Sequence, residues 1–327
     1  MVVRNWSVVA LCSGVGGRQG RARSCADPSG NAGREVPLLS TISIIERIEA
    51  PVTLDGFAAA YDRVLRKWPA NTQAIDVNTV HGTTRINACG PVDSPPLVLL
   101  PGAGATSTVW FANVGALSQH YRIFAIDLMG DVGRTVPGEQ AIESVGELLN
   151  WVSAVLDELG LPTAALCGHS YGAMIALAYA LRHQDRVDAL TLLDPNSCFG
   201  PMSPRYLVHA LPILLSRSEK RQRKFIRWET DGAQLDPDWL DVLALGAAHA
   251  PTTKTIVPKR PKPAAFENFG VPTTVVLAGK GKVHRAARIE TAVHAVLPTA
   301  RTVILDGATH HTLPMLPAAE VNETLLS

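Results

Sequence analysis

Residues 163–175 read Thr163-Ala-Ala-Leu-Cys167-Gly168-His169-Ser170-Tyr171-Gly172-Ala173-Met-Ile175. Thr163 to Cys167 is a short apolar run of strand length, and Ala173 to His183 carries apolar residues at i, i+3 and i+4, the spacing of a helix. Between them a serine is flanked by glycines two residues away on either side. A strand that turns sharply into a helix strains the residue at the corner, and side chains two positions away would collide with the neighbouring strand and helix. Both flanking positions therefore call for glycine. The helix that begins after Ser170 aims its first amides at developing negative charge. In this setting Ser170 is a candidate nucleophile.

Working outward, Leu97 to Leu100, Tyr121 to Asp127, Val187 to Leu193, Thr273 to Ala278 and Thr302 to Leu305 are further short apolar runs. Such runs belong to strands buried on both faces of a parallel sheet. Ser144 to Leu159 lies among them with helical spacing, so right-handed βαβ crossovers are expected. Upstream, Asp55 to Trp68 predicts an amphipathic helix ended by Pro69, and Ala74 to Val80 with Thr83 to Cys89 predicts a hairpin around His81-Gly82. The class is α/β: a doubly wound, mostly parallel sheet of eight strands with an antiparallel beginning.

Between Asp194 and Val271 the alternation stops, and helices are expected at Arg205 to Leu215, Glu219 to Glu229 and Asp236 to His249. Residues 199–264 are read as a helical cap over the carboxyl ends of the strands, where open α/β sheets bind ligands. The core is then 41–198 with 265–327. The charge run Arg217, Lys220, Arg221, Arg223, Lys224 and Arg227 reads as the solvated face of a cap helix rather than an anion-steering surface.

A formal charge of +1 on a chain that is 18% charged gives no field that argues for nucleic acid or an acidic membrane as partner. Five cysteines, at 12, 25, 89, 167 and 198, form neither a CxxC pair nor a zinc-spaced cluster, which fits a reducing, cytoplasmic compartment and no metal. No apolar run approaches the ~20 residues of a membrane helix. Trp6 to Cys12 is weakly apolar behind Arg4, but Ser7 interrupts it and no A-x-A site follows, so an export signal is rejected. Residues 13–34 are rich in Gly, Arg and Ser; residues 1–40 are expected to be a disordered tail, with 1–35 dispensable.

A serine hydroxyl needs a base. Asp306-Gly307-Ala308-Thr309-His310-His311 follows the last strand and offers two histidines. An oxyanion needs two backbone amides, one from the residue after the nucleophile and one from the loop after the third strand. Those amides fall on Tyr171 and on Ala103, within Pro101-Gly102-Ala103-Gly104-Ala105. A phosphate loop is the competing reading of that glycine-rich stretch, but neither G-x-G-x-x-G nor G-K-[ST] is present.

In motif content and order, the chain from about Thr79 to its C-terminus resembles the α/β-hydrolase superfamily. Gly307 to His310 resembles its G-x-x-H loop, which favours His310 over His311 as the base. Asp127-Leu-Met-Gly-Asp-Val-Gly-Arg-Thr135 resembles its structural turn after the fourth strand, and Leu313 to Leu326 its closing helix. His169, beside the nucleophile, is read as a packing residue.

Two departures stand out. The resembling enzymes often have His before the oxyanion-loop glycine, and this chain has Pro101. Their acid usually follows the seventh strand, yet Val276 to His284 reads Val-Leu-Ala-Gly-Lys-Gly-Lys-Val-His, with Lys282 near the expected carboxylate. Some members carry the acid after the sixth strand instead, which here is Asp194; Asp306 and Glu290 are weaker candidates.

The resemblance thus implies a serine hydrolase acting on a small-molecule acyl substrate, a carboxylic ester by default, with no cofactor. Ser170, His310 and Asp194 would form the triad, and Ala103 and Tyr171 the oxyanion hole. A serine at the corner argues against the dehalogenase and epoxide-hydrolase branches, which use Asp. The alternatives are C–C hydrolysis or acyl transfer on the same site, and a binding protein whose triad has decayed, suggested by Lys282 and Pro101.

Overall fold

The computed structural model describes residues 54–249 and 254–327, so the tail expected over 1–40 lies outside the described residues, as do Cys12 and Cys25. Helix α1 (Leu54–Leu65) leads into the hairpin β1 (Gln73–Thr79) and β2 (Gly82–Cys89). β3 (Pro96–Leu100), α2 (Val114–Leu117), β4 (Arg122–Ile126), the two-residue β5 (Val136–Pro137) and α3 (Val145–Glu158) follow. Next come β6 (Ala164–His169), α4 (Tyr171–Arg182) and β7 (Val187–Leu193). Three helices, α5 (Pro204–Leu215), α6 (Glu219–Glu229) and α7 (Pro237–His249), separate β7 from β8 (Thr273–Ala278). The chain closes with α8 (Ala286–Val296), β9 (Arg301–Leu305) and α9 (Ala318–Leu326).

The sheet runs β1-β2-β4-β3-β6-β7-β8-β9, with β5 paired to β2 off this path. The pairs β1–β2 and β2–β4 are antiparallel, and every pair from β4–β3 to β8–β9 is parallel. The eight strands expected are the eight on the path.

Strands buried on both faces send alternate side chains to opposite layers. β3 does so: Val98 and Leu100 pack in one hydrophobic cluster with Trp151 of α3 and Ile175 of α4, while Leu97 and Leu99 pack in the other with Tyr61 of α1 and Val242 of α7. Ser144 caps α3 reciprocally with Glu147, which explains why that helix begins where the apolar periodicity does.

Asp127, fully buried after β4, accepts from Ser107 N at 2.7 Å, Arg134 N at 2.7 Å and Tyr61 Oη at 3.0 Å. The 127–135 turn is thereby fastened to α1 and to the turn after β3.

Two features differ from the sequence reading. The closing helix, expected from Leu313, begins only at Ala318, because Pro314 and Pro317 have no amide to donate and hold the preceding residues in turns. Helix α1, assigned to the core, also packs on α7, where Arg63 bonds Asp238 and Asp241 at 2.8 Å; just past the end of α1, Lys67 bonds Asp236, which precedes α7, at 2.5 Å. On α6, Lys220, Arg221, Lys224 and Arg227 are exposed, while Arg223 pairs with Asp241 at 2.6 Å. Among the described residues, no helix is long and apolar enough to cross a membrane.

Candidate active site

The corner between β6 and α4 places Ser170 at φ 53°, ψ −109°, with its amide donating to the Leu193 carbonyl at 3.0 Å. A left-handed serine costs of order 1–3 kcal/mol and persists only where the surroundings hold it. The glycines have direct steric causes. A Cβ on Gly168 would lie 2.4 Å from the Gly172 carbonyl, and one on Gly172 would lie 2.2 Å from the Leu100 oxygen. The corner therefore packs against the end of β3, and the loop after β3 crosses the serine: a Cβ on Gly102 would lie 3.3 Å from Ser170 Cβ.

Asp194 ends β7 with φ 42°, its amide donating to the Val276 carbonyl at 2.7 Å. Its carboxylate is fully buried and accepts three hydrogen bonds, from His310 Nδ1 at 2.6 Å, His284 Nε2 at 2.9 Å and Ala278 N at 3.1 Å. Burial alone would push this carboxyl up. Hydrogen bonds from His284 and His310, and the electrostatic pull of these two imidazoles, outweigh it and hold the group well below the usual carboxylate range.

His310 bridges the two elements, with Nε2 2.9 Å from Ser170 Oγ. With Nδ1–H donating to Asp194, Nε2 carries the lone pair and accepts from the Ser170 hydroxyl. Burial lowers the affinity of this imidazole for a proton, but Asp194 and the charge of Glu229 more than compensate, so its pKa lies above the ordinary histidine value. His311 does not reach the serine. Its Nε2 meets Tyr206 Oη at 3.2 Å, and burial depresses its pKa to about 4.

The turn carrying His310 is held from two sides. His169, buried and with its pKa pushed down to about 3 by burial, donates from Nε2 to the His310 carbonyl at 2.9 Å. From the other side, the fully buried Glu229 at the end of α6 accepts from His310 N at 3.1 Å, His311 N at 3.0 Å and Thr309 Oγ1 at 2.9 Å. Among the described residues, neither the Ala103 nor the Tyr171 amide donates a hydrogen bond within the protein. Gly104 N, beside Ala103, donates to Asp131 at 2.9 Å, which fastens that loop to the turn after β4.

Tyr171 is also one wall of a cavity of about 520 Å³ lined by Met129, Asp131, Ile142, Leu148 and Ile256. Its hydroxyl donates to the Ile256 carbonyl at 2.6 Å. The volume is within the range of small-molecule sites.

Comparison with solved structures places this architecture beside the carboxylesterase CesB (YbfK) from Bacillus subtilis, with a TM-score of 0.77 and 27% identity over 83% of this chain and 96% of that one. Naproxen esterase (carboxylesterase NP) from the same species superposes with a TM-score of 0.76 and 26% identity, covering 84% of this chain and 99% of that one. The family model described as alpha/beta hydrolase fold matches residues 95–253. The chain has the α/β-hydrolase fold.

Among curated relatives, this α/β-hydrolase-fold chain is 34% identical to carboxylesterase YbfK of Bacillus subtilis over 182 residues, 55% of this chain and 60% of that protein. It is 32% identical to the carboxylesterase nap of the same organism over 168 residues, 51% of this chain and 55% of that protein. The chain thus spans less than two thirds of the length of these two curated relatives.

The structure brings Ser170, His310 and Asp194 into one hydrogen-bonded chain and sets Tyr171 and the Ala103 loop beside the serine. Of the weaker acid candidates, Glu290 bonds Thr302 at 2.8 Å on α8. Lys282, the residue that departs from the superfamily pattern, does not face Asp194. It donates instead to the Trp228 and Glu229 carbonyls and to Asp231, capping the end of α6.

Sequence reasoning missed Glu229 and His284, and it read His169 as packing. Glu229 is the last residue of a helix that is mostly basic and also begins with a glutamate, Glu219, and nothing local in its neighbourhood separates it from a solvated residue. His284 had one usable signal, its position two residues beyond Lys282 in the loop where the superfamily usually keeps its acid.

Proposed function

We propose that the chain hydrolyses carboxylic esters through an acyl-enzyme, with Ser170 as nucleophile, His310 as general base and acid, and Asp194 as the residue that orients the imidazole. The observation that carries this reading is the continuous chain Ser170 Oγ, His310 Nε2, His310 Nδ1, Asp194 Oδ2, with contacts of 2.9 and 2.6 Å. Two relatives named carboxylesterases support it.

His310 takes the hydroxyl proton as Ser170 Oγ attacks the ester carbonyl, and the imidazolium is stabilised by the buried Asp194 carboxylate. The amides of Tyr171 and Ala103, together with the first turn of α4, hold the oxyanion. His310 then returns the proton to the departing alkoxide. Water, deprotonated by the same imidazole, cleaves the acyl-enzyme and restores Ser170.

The cavity beside Tyr171 adjoins the nucleophile corner through that residue alone, and the inserted helices α5 to α7 are the proposed cap over the serine. The buried, unpaired Cys89, Cys167 and Cys198 fit a reducing, cytoplasmic compartment. The binding-protein reading drew on Lys282, and it loses that support because this lysine is engaged at the end of α6.

A fluorophosphonate probe tests the proposal. Labelling of the wild type that disappears in Ser170→Ala is expected, and an unlabelled wild type overturns the hydrolase reading. Turnover of p-nitrophenyl esters of increasing acyl length then measures the acyl chain that the site accepts.

A further inference from the structure

A carboxylate fully removed from water is costly unless its oxygens are satisfied, and Glu229 meets that condition with no ion pair to its carboxylate among the described residues. Oε1 accepts from His310 N at 3.1 Å, and Oε2 from His311 N at 3.0 Å and Thr309 Oγ1 at 2.9 Å. All three donors belong to one turn, the turn that carries the base. We propose that Glu229 is a positioning residue: carried by the inserted helix α6, it sets the backbone of the Thr309–His311 turn and thereby the reach of the His310 imidazole to Ser170. The inference rests on the hydrolase reading above.

The geometry leaves His310 little freedom. Its N–H is held by Glu229, its carbonyl by His169 Nε2 at 2.9 Å, and its Nδ1 by Asp194 at 2.6 Å. With both peptide groups and one ring nitrogen fixed, the remaining nitrogen is directed at the serine. A misplacement of about 1 Å in such an array costs on the order of a hundredfold in rate.

The hold passes on to the rest of the fold. Lys282, from the loop after β8, donates to the Glu229 carbonyl at 3.1 Å and to Asp231 at 2.5 Å, and so pins the end of α6 to the sheet. His284 of the same loop grips Asp194. The loop that lacks a carboxylate thus supports the base and the acid from two directions. Displacing α6 would leave three donors of the turn, two of them buried, without the Glu229 acceptor, so the seat of the inserted helices and the competence of the base are coupled.

Charge adds a readout that a purely structural role would not move. His310 is faced by Asp194 after β7, His169 at the β6–α4 corner, Tyr206 of α5, Glu229 of α6 and its neighbour His311. Only Asp194 and Glu229 among these are carboxylates. Each favours the protonated imidazole.

The experiment compares the wild type with Glu229→Gln, which keeps the shape and removes the charge and one acceptor. With folding checked by circular dichroism melts, the variant is expected to label with fluorophosphonate about ten to a hundred times more slowly, with KM nearly unchanged. The acid limb of its kcat/KM profile should move to lower pH. Labelling at the wild-type rate overturns the positioning role, as does a loss that merely follows the loss of folded protein with the limb unmoved. Lys282→Met is the second variant, since it frees the end of α6 and leaves the turn intact. Slower labelling at unchanged KM supports the coupling, and wild-type labelling overturns it. A wild type that fails to label overturns the hydrolase reading itself, an outcome distinct from a variant that labels normally.

Discussion

His284 donates from Nε2 to Oδ1 of Asp194 at 2.9 Å, so the carboxylate at the end of β7 is gripped by a histidine from the loop after β8. That is the loop in which the resembling enzymes usually carry the acid itself. His310 occupies the other oxygen at 2.6 Å, and the Ala278 amide completes the set. The loop after β8, which holds no carboxylate, thus supplies Asp194 with a hydrogen-bond donor.

His284→Leu removes that partner and leaves Oδ1 with the Ala278 amide alone. Hydrogen bonds to buried charged groups contribute roughly 1.5–3 kcal/mol each, so a loss of about 2 kcal/mol is expected. Urea denaturation at pH 7 measures it. A midpoint equal to that of the wild type would show that the contact does not stabilise the fold.

Asp194→Asn keeps the shape of the site but offers an amide where His310 Nδ1–H needs an acceptor. An imidazole held in the wrong tautomer cannot take the Ser170 proton, and kcat should fall by roughly 10⁴-fold. The melting curve should stay cooperative, since the side chain still fills its place. Near-normal turnover of p-nitrophenyl esters would move the acid role elsewhere.

The pH dependence follows from the direction of the His310 shift. A general base works only in its neutral form, and the pKa of His310 lies above the ordinary value of 6.5 because Asp194 and Glu229 stabilise the imidazolium. Catalysis is lost as pH falls through that raised value. The acid limb of kcat/KM is therefore expected above pH 6.5, and a limb clearly below it would contradict the assignment of His310.

Ser170→Gly should separate stability from activity. Glycine adopts φ 53° without strain, so relief of roughly 1 kcal/mol is expected, partly offset by the greater freedom of glycine in the unfolded chain. The variant should be inactive and melt no lower than Ser170→Ala. A melting temperature below that of the alanine variant would show that the corner stores no strain.

The order of strands and helices, the sharp corner at Ser170 and the histidine turn after β9 were all legible in the sequence, because their signals are local. Apolar runs, helical spacing and the glycines that let residue 168 pass the start of α4 and residue 172 approach β3 act within a few positions of one another. Asp194 could be named because the resemblance offered the end of the sixth strand as an alternative place for the acid, and a strand end fixes the edge of the sheet on which a side chain lies. Only the tertiary structure decided what surrounds these groups. Glu229 and His310 are 81 residues apart, His284 and Asp194 are 90 apart, and the salt bridges of α1 reach α7 across more than 170. No periodicity encodes such pairs. They arise when separate elements are packed onto one sheet, where a buried carboxylate must find donors from whatever part of the chain lies beside it.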